Sequence, residues 1–245
     1  MIDTVQVVLG ATGGIGTVLC QRLAGRGARL VVAARTPQRV RELAAAVGGH
    51  PVVLDATCAT HVERCLAEAT EVHGRVDGVV NLVGSILLKP AHLTTDDEWA
   101  ATVAANLTSS FVTVRAAARV MTRTGGSIVL MSSAAARLGL ANHDAIAAVK
   151  AGVIGLAQAA AASYAGRGIR VNCVAPGLVR TGLTARLTGN EASLKASTAL
   201  HALGRIGEPG EVASAIAWLL DPEQGWVTGQ VLGVDGGLAR VRSRG

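Results

Sequence analysis

Aromatic side chains are scarce in this sequence of 245 residues, at 2% of the total, with a single Tyr and a single Phe. An interior with so few rings must be filled by Ala, Val, Leu and Ile, as in strands that are buried on both faces of a parallel sheet. Half of the residues are hydrophobic and 16% are charged, which suffices for a large buried core. The composition therefore favours a parallel α/β fold.

Signatures of metal and nucleic-acid binding are missing as well. The four cysteines lie far apart, so we predict no metal site and expect small core residues in a reducing compartment. The net charge of +6 comes from scattered arginines rather than from a basic run with interleaved aromatics, so we expect no nucleic-acid partner. The excess of positive charge could attract a phosphate-bearing cofactor or substrate. Alternatively, it is the ordinary surface charge of a protein that binds no such ligand.

A membrane segment is not expected either. The stretch 4–21 is uncharged, but glycines interrupt it, it follows Asp3, and it lacks the basic start of a signal peptide. We therefore expect a cytoplasmic protein with no membrane partner.

Apolar runs alternate regularly with amphipathic segments of helical length. The segments between the runs are long enough for crossover helices, so the alternation predicts a parallel sheet. No linker or repeat divides the chain, and we predict one domain over 1–245: a single-domain, Rossmann-type, doubly wound parallel sheet with helices on both faces. The predicted strands are Val5–Leu9, Arg29–Ala34, Pro51–Leu54, Val76–Val80, Ser127–Met131, Ile169–Val174 and Gln230–Val234.

The turn after the first predicted strand is rich in glycine. Gly10, Gly14 and Gly16 have the spacing of a dinucleotide-binding turn, with Thr12 and Ile15 between them. Glycine permits a tight turn and a close approach of the backbone to a pyrophosphate, whose charge the following helix N-terminus stabilises. A flexible loop can have a similar composition, but the position directly after a strand favours dinucleotide binding.

The end of the second strand indicates which dinucleotide is bound. An NAD site usually carries an acidic residue there, whereas Ala33-Ala34-Arg35 offers a guanidinium and no carboxylate. A guanidinium suits a 2′-phosphate, so NADP(H) is favoured over NAD(H). Alternatively, Arg35 starts a solvated helix together with Arg39 and Arg41.

Several further motifs follow in a fixed order and span nearly the whole chain. On the basis of these motifs, the sequence resembles the short-chain dehydrogenase/reductase family, in particular its 3-oxoacyl-carrier-protein reductase-like members. Leu9 departs from the usual Thr of the glycine motif, and the middle of the Asn81 motif is altered. The motifs are Asp55-Ala56, Asn81-Leu82-Val83-Gly84, Asn106, Ser132-Ser133, Pro176-Gly177 with Thr181, and a tail from Val227 to Gly237.

The resemblance implies an oxidoreductase that acts on a small-molecule carbonyl, alcohol or activated alkene. It implies adenine contacts at Asp55-Ala56 and a loop on the nicotinamide side at Pro176 to Thr181. It also implies a homo-oligomer, tetramer or dimer, packed through the long helices and the C-terminal strand. The implied cofactor-binding residues are Gly10, Thr12, Gly14, Ile15, Gly16, Arg35, Asp55, Ala56, Asn81, Val83, Lys150, Pro176, Val179 and Thr181.

The sequence departs from the family at the catalytic tyrosine. Members carry Tyr four residues before Lys, but here Ile146 precedes Lys150 at that distance, and the spacing from Ser133 points to the same position. The only tyrosine, Tyr164, lies well beyond Lys150, and we expect it to pack structurally. The remaining catalytic candidates are Ser133 as a donor to an oxyanion, Lys150 for the nicotinamide ribose, and Asn106 to hold a water.

His143 is the candidate replacement. If a helix begins near Asn142, then His143, Ile146 and Lys150 lie on one face, and an imidazole there could act as general acid near neutral pH. Alternatively, His143 caps the helix start together with Asn142 and Asp144.

Three functions stay open at this point. The first is an NADP(H)-dependent oxidoreductase with a tyrosine-free site; the second is a catalytically silent NADP(H)-binding protein or partner subunit. The third is a non-redox lyase or isomerase on the same scaffold. The segment 182–207 is expected to form a lid over a greasy or compact substrate, although an interface helix would have the same composition. The basic end, Arg240 to Arg244, is expected to be a solvated tail.

Overall fold

Seven strands form one sheet in the computed structural model, which describes residues 1–242. Every neighbouring pair of strands is parallel, and the order across the sheet is 3-2-1-4-5-6-7. The predicted doubly wound parallel fold is therefore confirmed. In chain order the strands are β1 (Val5–Leu9), β2 (Arg29–Ala34), β3 (His50–Val53), β4 (Gly78–Asn81), β5 (Gly126–Met131), β6 (Ile169–Pro176) and β7 (Val231–Val234).

The bounds of β1 and β2 match the prediction, and the other strands differ at their ends. The strand β4 begins later than predicted, because the Asp77 carboxylate accepts the N–H of Val5 at 2.8 Å at the place where a ladder bond would form. The strand β6 extends to Pro176, because this residue pairs in register with Val234 of β7. The contact of Asp77 with Val5 and the pairing of Pro176 with Val234 each join distant segments, so the composition of one segment does not reveal them.

Helices cover both faces of the sheet. One face packs against the third, fifth and sixth helices, and the other packs against the first, second and ninth. Each face buries its own apolar cluster, which is why the strands are apolar on both sides. The helices are α1 (Gly14–Ala24), α2 (Pro37–Val47), α3 (Ala59–His73), α4 (Asp96–Val103), α5 (Ser109–Met121), α6 (Asp144–Tyr164), α7 (Ala185–Thr188), α8 (Glu191–Leu200) and α9 (Pro209–Leu220).

The helix α6 and the turn after it, residues 144–167, are long and apolar enough to cross a membrane by length and composition alone. Val153 and Ala157 of this helix are fully buried in the core, and Tyr164 packs against the same cluster as expected. A helix that is packed on a sheet has the same apolar composition, so this one gives weak evidence for a membrane span.

The cysteines are free, and three of them are buried core residues as predicted. Cys58 differs, because it stands at the N-cap of α3 and is only partly buried. At the chain end, Arg240 is exposed as expected, while residues 243–245 of the predicted solvated tail lie outside the described residues.

Candidate active site

The strand order reverses direction between β1 and β4. The chain leaves β1 towards β2 on one side and leaves β4 towards β5 on the other, so their connections diverge and open a crevice at the carboxyl ends. The predicted site motifs follow the ends of β1, β4, β5 and β6, and the parallel sheet brings all of them to this edge.

The glycine turn leaves no room for side chains. Gly10 has a positive φ of 79°, and a Cβ atom there would lie 3.0 Å from the Val83 nitrogen. A Cβ at Gly16 would lie 2.5 Å from the Ala11 oxygen. Because α1 begins at Gly14, the N–H groups of its first turn have no acceptor within the helix. These groups face the crevice, at the place where the glycine turn meets the helix. This cradle fits a pyrophosphate.

Arg35 and Asp55 lie at the ends of the neighbouring strands β2 and β3. The Asp55 carboxylate accepts hydrogen bonds from the Thr57 N–H at 2.9 Å and from the Thr57 hydroxyl at 2.8 Å. These bonds lower the pKa of Asp55, and the charges of Arg35 and His61 lower it further. Asp55 is therefore ionised at neutral pH, and Ala56 beside it is buried.

The loop after β6 reaches back over the glycine turn. A Cβ at Gly14 would lie 3.0 Å from the Thr181 methyl carbon, so the predicted Thr181 and the turn are in contact distance. Val179 pairs with Gly207 in a short parallel bridge, which holds the loop after Pro176 against the end of the segment 182–207.

Asn81 uses its side chain to support the backbone. Its Nδ2 donates to the Ser109 hydroxyl of α5 at 3.2 Å, and its Oδ1 accepts from the Val83 N–H at 2.9 Å. Asn81 is buried, and both polar atoms of its side chain are used in these two hydrogen bonds. Val83, the third residue of this motif, packs beside Gly10 of the glycine turn.

A π turn, Ala104–Thr108, joins α4 to α5 and carries Asn106 into the site. Such turns widen a helix locally and are frequent at functional sites. The Asn106 Nδ2 donates to the Thr102 oxygen at 2.9 Å and to the Ser85 hydroxyl at 3.0 Å, while its Oδ1 accepts from the Ser85 N–H at 3.2 Å.

Ser85 is a polar site residue that the sequence analysis missed. Within residues 1–242 its hydroxyl accepts from Asn106 and donates to no acceptor, so its proton is free for a water or a substrate oxygen. The only local signal is one polar residue between Gly84 and the apolar run 86–88.

Lys150 lies beside this pair. A Cβ built on Gly84 would lie 2.8 Å from the Asn106 Oδ1 and 3.4 Å from the Lys150 Nζ, so both groups flank Gly84. The Nζ donates to the Met131 oxygen at 2.8 Å, and burial lowers the pKa of Lys150 to about 8. At neutral pH the amine therefore still carries its proton, yet it can release it more easily than a solvated lysine.

Ser133 lies two residues after the end of β5, on the same edge of the sheet. Its Oγ accepts the Ala135 N–H at 3.2 Å, and its proton is donated to no acceptor in the described part of the chain. Ile146, on the first turn of α6, is buried. This part of the site therefore offers one hydroxyl donor and one apolar side chain.

His143 is the N-cap residue of α6, with φ −105° and ψ 16°, and its carbonyl oxygen accepts the Ala147 N–H at 2.7 Å. Its side chain makes no capping hydrogen bond, and its Nδ1 lies 2.8 Å from the Ala141 oxygen. Asn142 just before it has a left-handed conformation, with φ 62°, so the helix begins two residues later than Asn142. The catalytic role of His143 stays a prediction.

The segment 182–207 contains α7 and α8, and no residue of either helix is buried. It is anchored at His201, which is buried and bonds through both ring nitrogens. Nδ1 lies 2.7 Å from the Ser197 oxygen, and Nε2 accepts the Leu178 N–H at 3.2 Å. Gly177 makes room for the ring, since a Cβ there would lie 2.5 Å from Nε2. The sequence analysis missed this anchor.

Metal-ligating side chains do not cluster in the part of the chain that the structure describes: residues 1–242 hold no group of three or more His, Cys, Asp or Glu suited to an ion.

Comparison with known proteins places this site in a family. Residues 10–239 match the family model described as enoyl-(acyl carrier protein) reductase. The chain is 35% identical to 3-oxoacyl-[acyl-carrier-protein] reductase FabG of Vibrio cholerae over 97% of this chain and 98% of that protein. It is 37% identical to galactitol 2-dehydrogenase (L-tagatose-forming) of Cereibacter sphaeroides, over 94% and 92% of the two chains.

Among solved structures, an actinorhodin polyketide ketoreductase crystallised with NADPH superimposes with a TM-score of 0.92 at 30% identity, over 98% of this chain and 100% of that one. The chain belongs to the short-chain dehydrogenase/reductase family and has its Rossmann-like fold. Its relatives are oxidoreductases, and the family uses nicotinamide cofactors.

Proposed function

We propose that the protein is an NADP(H)-dependent oxidoreductase that acts on a carbonyl, its alcohol or an activated alkene with a tyrosine-free active site. The observation that supports this most is the convergence of the glycine turn, Ser133, Asn106 and Lys150 at one edge of the sheet. In the family pattern, the buried Ile146 occupies the position of the catalytic tyrosine.

The residues present fit the cofactor along its length. The turn from Gly10 to Gly16 would hold the pyrophosphate, Arg35 the 2′-phosphate, and Asp55-Ala56 the adenine. Thr181 with Val179 would hold the nicotinamide end, and Lys150 its ribose. A bound NADPH would supply the hydride.

The chain's own residues would stabilise the negative charge that develops on a substrate oxygen. Ser133 can donate its free hydroxyl proton in a hydrogen bond, and the protonated amine of Lys150 adds a positive charge within the site. Ile146 has no proton to give. Three proton donors are to be distinguished by experiment: a water held at Ser85 and Asn106, His143, or the substrate itself.

The first test is a titration of NADPH and NADH by fluorescence, followed by a panel of ketones and activated alkenes. Wild type and Ile146→Tyr are compared in parallel. Tight NADPH binding with turnover by wild type supports the proposal. Binding without turnover by wild type, with turnover by Ile146→Tyr, would instead favour a silent cofactor-binding protein, because the missing group is then the proton donor alone. Product without net oxidation of NADPH would indicate a lyase or isomerase.

The role of His143 is tested separately. If its imidazole delivers the proton, His143→Ala abolishes turnover and leaves the Kd for NADPH unchanged. His50→Ala, at the opposite end of the sheet, serves as the control. Unchanged turnover in His143→Ala would leave the water at Ser85 or the substrate as the proton source.

A further inference from the structure

The exposed Arg39 lies on the first turn of α2 and contacts the glycine turn. Its Nη2 donates to the Thr12 carbonyl oxygen at 2.7 Å. Thr12 stands between Gly10 and Gly14 in the cradle described above, so this bond ties the start of α2 to the dinucleotide-binding turn. A long, exposed guanidinium is thereby held at one defined place.

Arg35 supplies a second guanidinium at this edge of the sheet. It follows the end of β2, and its charge acts on Asp55, which follows the end of the neighbouring strand β3. One guanidinium therefore contacts the glycine turn, and the other acts on the end of β3. Ala34, the last residue of β2, brings no carboxylate.

The number of donors matters for an anion at this point. A guanidinium has five N–H groups, and among residues 1–242 Arg39 spends one Nη2 donor on the Thr12 oxygen. The remaining donors are free for a phosphate, whose oxygens accept paired N–H groups well. Among residues 1–242 Asp55 forms no ion pair with either guanidinium, and its Oδ1 accepts both hydrogen bonds of Thr57.

We propose that Arg39 is a second specificity-determining residue for the 2′-phosphate of NADP(H), held in place by its bond to the Thr12 oxygen and acting together with Arg35. This inference rests on the proposed function, because it concerns the same cofactor site. The competing role is that of a clamp, in which Arg39 holds α2 against the glycine turn and does not recognise the ligand.

The two roles differ in which ligands they affect. A clamp supports every dinucleotide equally, whereas a 2′-phosphate contact affects only ligands that carry this group. The probes are therefore 2′,5′-ADP and 5′-ADP, with NADPH and NADH as the full-length pair, and the readout is Kd by calorimetry. None of these measurements requires turnover.

The variants are Arg39→Ala, Arg39→Lys and Arg35→Ala. Arg41→Ala is the matched control, because Arg41 is exposed on the same helix. We expect Arg39→Ala to raise the Kd for 2′,5′-ADP and for NADPH about tenfold or more, as for the loss of a charged hydrogen bond. The Kd for 5′-ADP and for NADH should stay unchanged. Arg39→Lys should recover part of the affinity, since lysine keeps the charge but not the paired donors. Arg41→Ala should match wild type.

Two outcomes for Arg39→Ala would overturn the inference. An equal loss for the ligands with and without the 2′-phosphate would assign Arg39 to the clamp, and wild-type affinities in Arg39→Ala would assign it no role. The wild-type arm tests the proposed function independently. If wild type binds 2′,5′-ADP no better than 5′-ADP, the preference for NADP(H) fails, and the role of Arg39 in recognising it fails with it.

Discussion

Gly78 of β4 leaves no room for a side chain beside Gln6 of β1. A Cβ at Gly78 would collide with the side-chain amide of Gln6, which is buried, so either the amide or the strand would have to shift. We therefore expect Gly78→Ala to lower the free energy of unfolding by about 1 to 3 kcal/mol, as other overpacked cores do. Urea denaturation measures this change.

The double variant Gln6→Ala/Gly78→Ala should recover part of that loss, because the colliding amide is gone. The matched control is Gly155→Ala on the exposed face of α6, where a Cβ meets open space. That change should stabilise the protein by about 0.5 to 1 kcal/mol. If Gly78→Ala behaves like the control, the contact with Gln6 has no energetic weight.

Lys150 makes the stability depend on pH. Burial lowers its pKa from 10.5 to about 8, so between these values the unfolded chain binds more protons than the folded one. Stability therefore rises as the pH increases through this window. We expect Lys150→Met to raise the free energy of unfolding at pH 7 by up to about 3 kcal/mol, since the variant has no charge to bury.

That advantage of Lys150→Met should shrink as the pH approaches 10.5, where wild type no longer carries the buried charge. Urea unfolding of both proteins across this range tests the sign. Parallel stability curves would mean that the amine titrates as it does in water.

At the scale of elements, the segment 182–207, which contains α7 and α8, is anchored near its end by His201. His201→Leu removes the acceptor of the Leu178 N–H, and an unpaired buried N–H costs about 1 to 3 kcal/mol. We expect this loss to favour local opening, so that trypsin cuts at Arg186 and Lys195 about tenfold faster. His92→Leu, at an exposed position, is the control. Equal cutting rates in both variants would show that this segment is anchored elsewhere.

At the scale of the whole molecule, large apolar side chains remain exposed. Phe111 on α5 is 50% exposed and Trp226 is fully exposed. Such exposure is typical of interaction surfaces, and we propose a homodimer or homotetramer packed through the long helices. Light scattering should give a multiple of 24.8 kDa. We expect Phe111→Asp to reduce the measured mass, and the control Ile2→Asp, also at an exposed position, to leave that mass unchanged. A monomeric wild type would contradict the proposal.

The sequence by itself determined the layers of the fold and the edge at which the site lies. Both depend on local patterns: apolar runs separated by helical lengths, and glycines directly after the first strand. Parallel strands place their carboxyl ends together whatever their order, so motifs that follow four of the strands meet at one edge, as Gly14 and Thr181 do.

Only the tertiary structure decided how side chains from distant segments pair. Ser85 with Asn106, His201 with Leu178 and Arg39 with Thr12 each join residues on different elements. The start of α6 depended in the same way on one left-handed residue, Asn142. A hydrogen bond requires two atoms within about 3 Å of each other. The periodicity of a sequence predicts helices and strands, but it does not predict which atoms of two distant segments come that close.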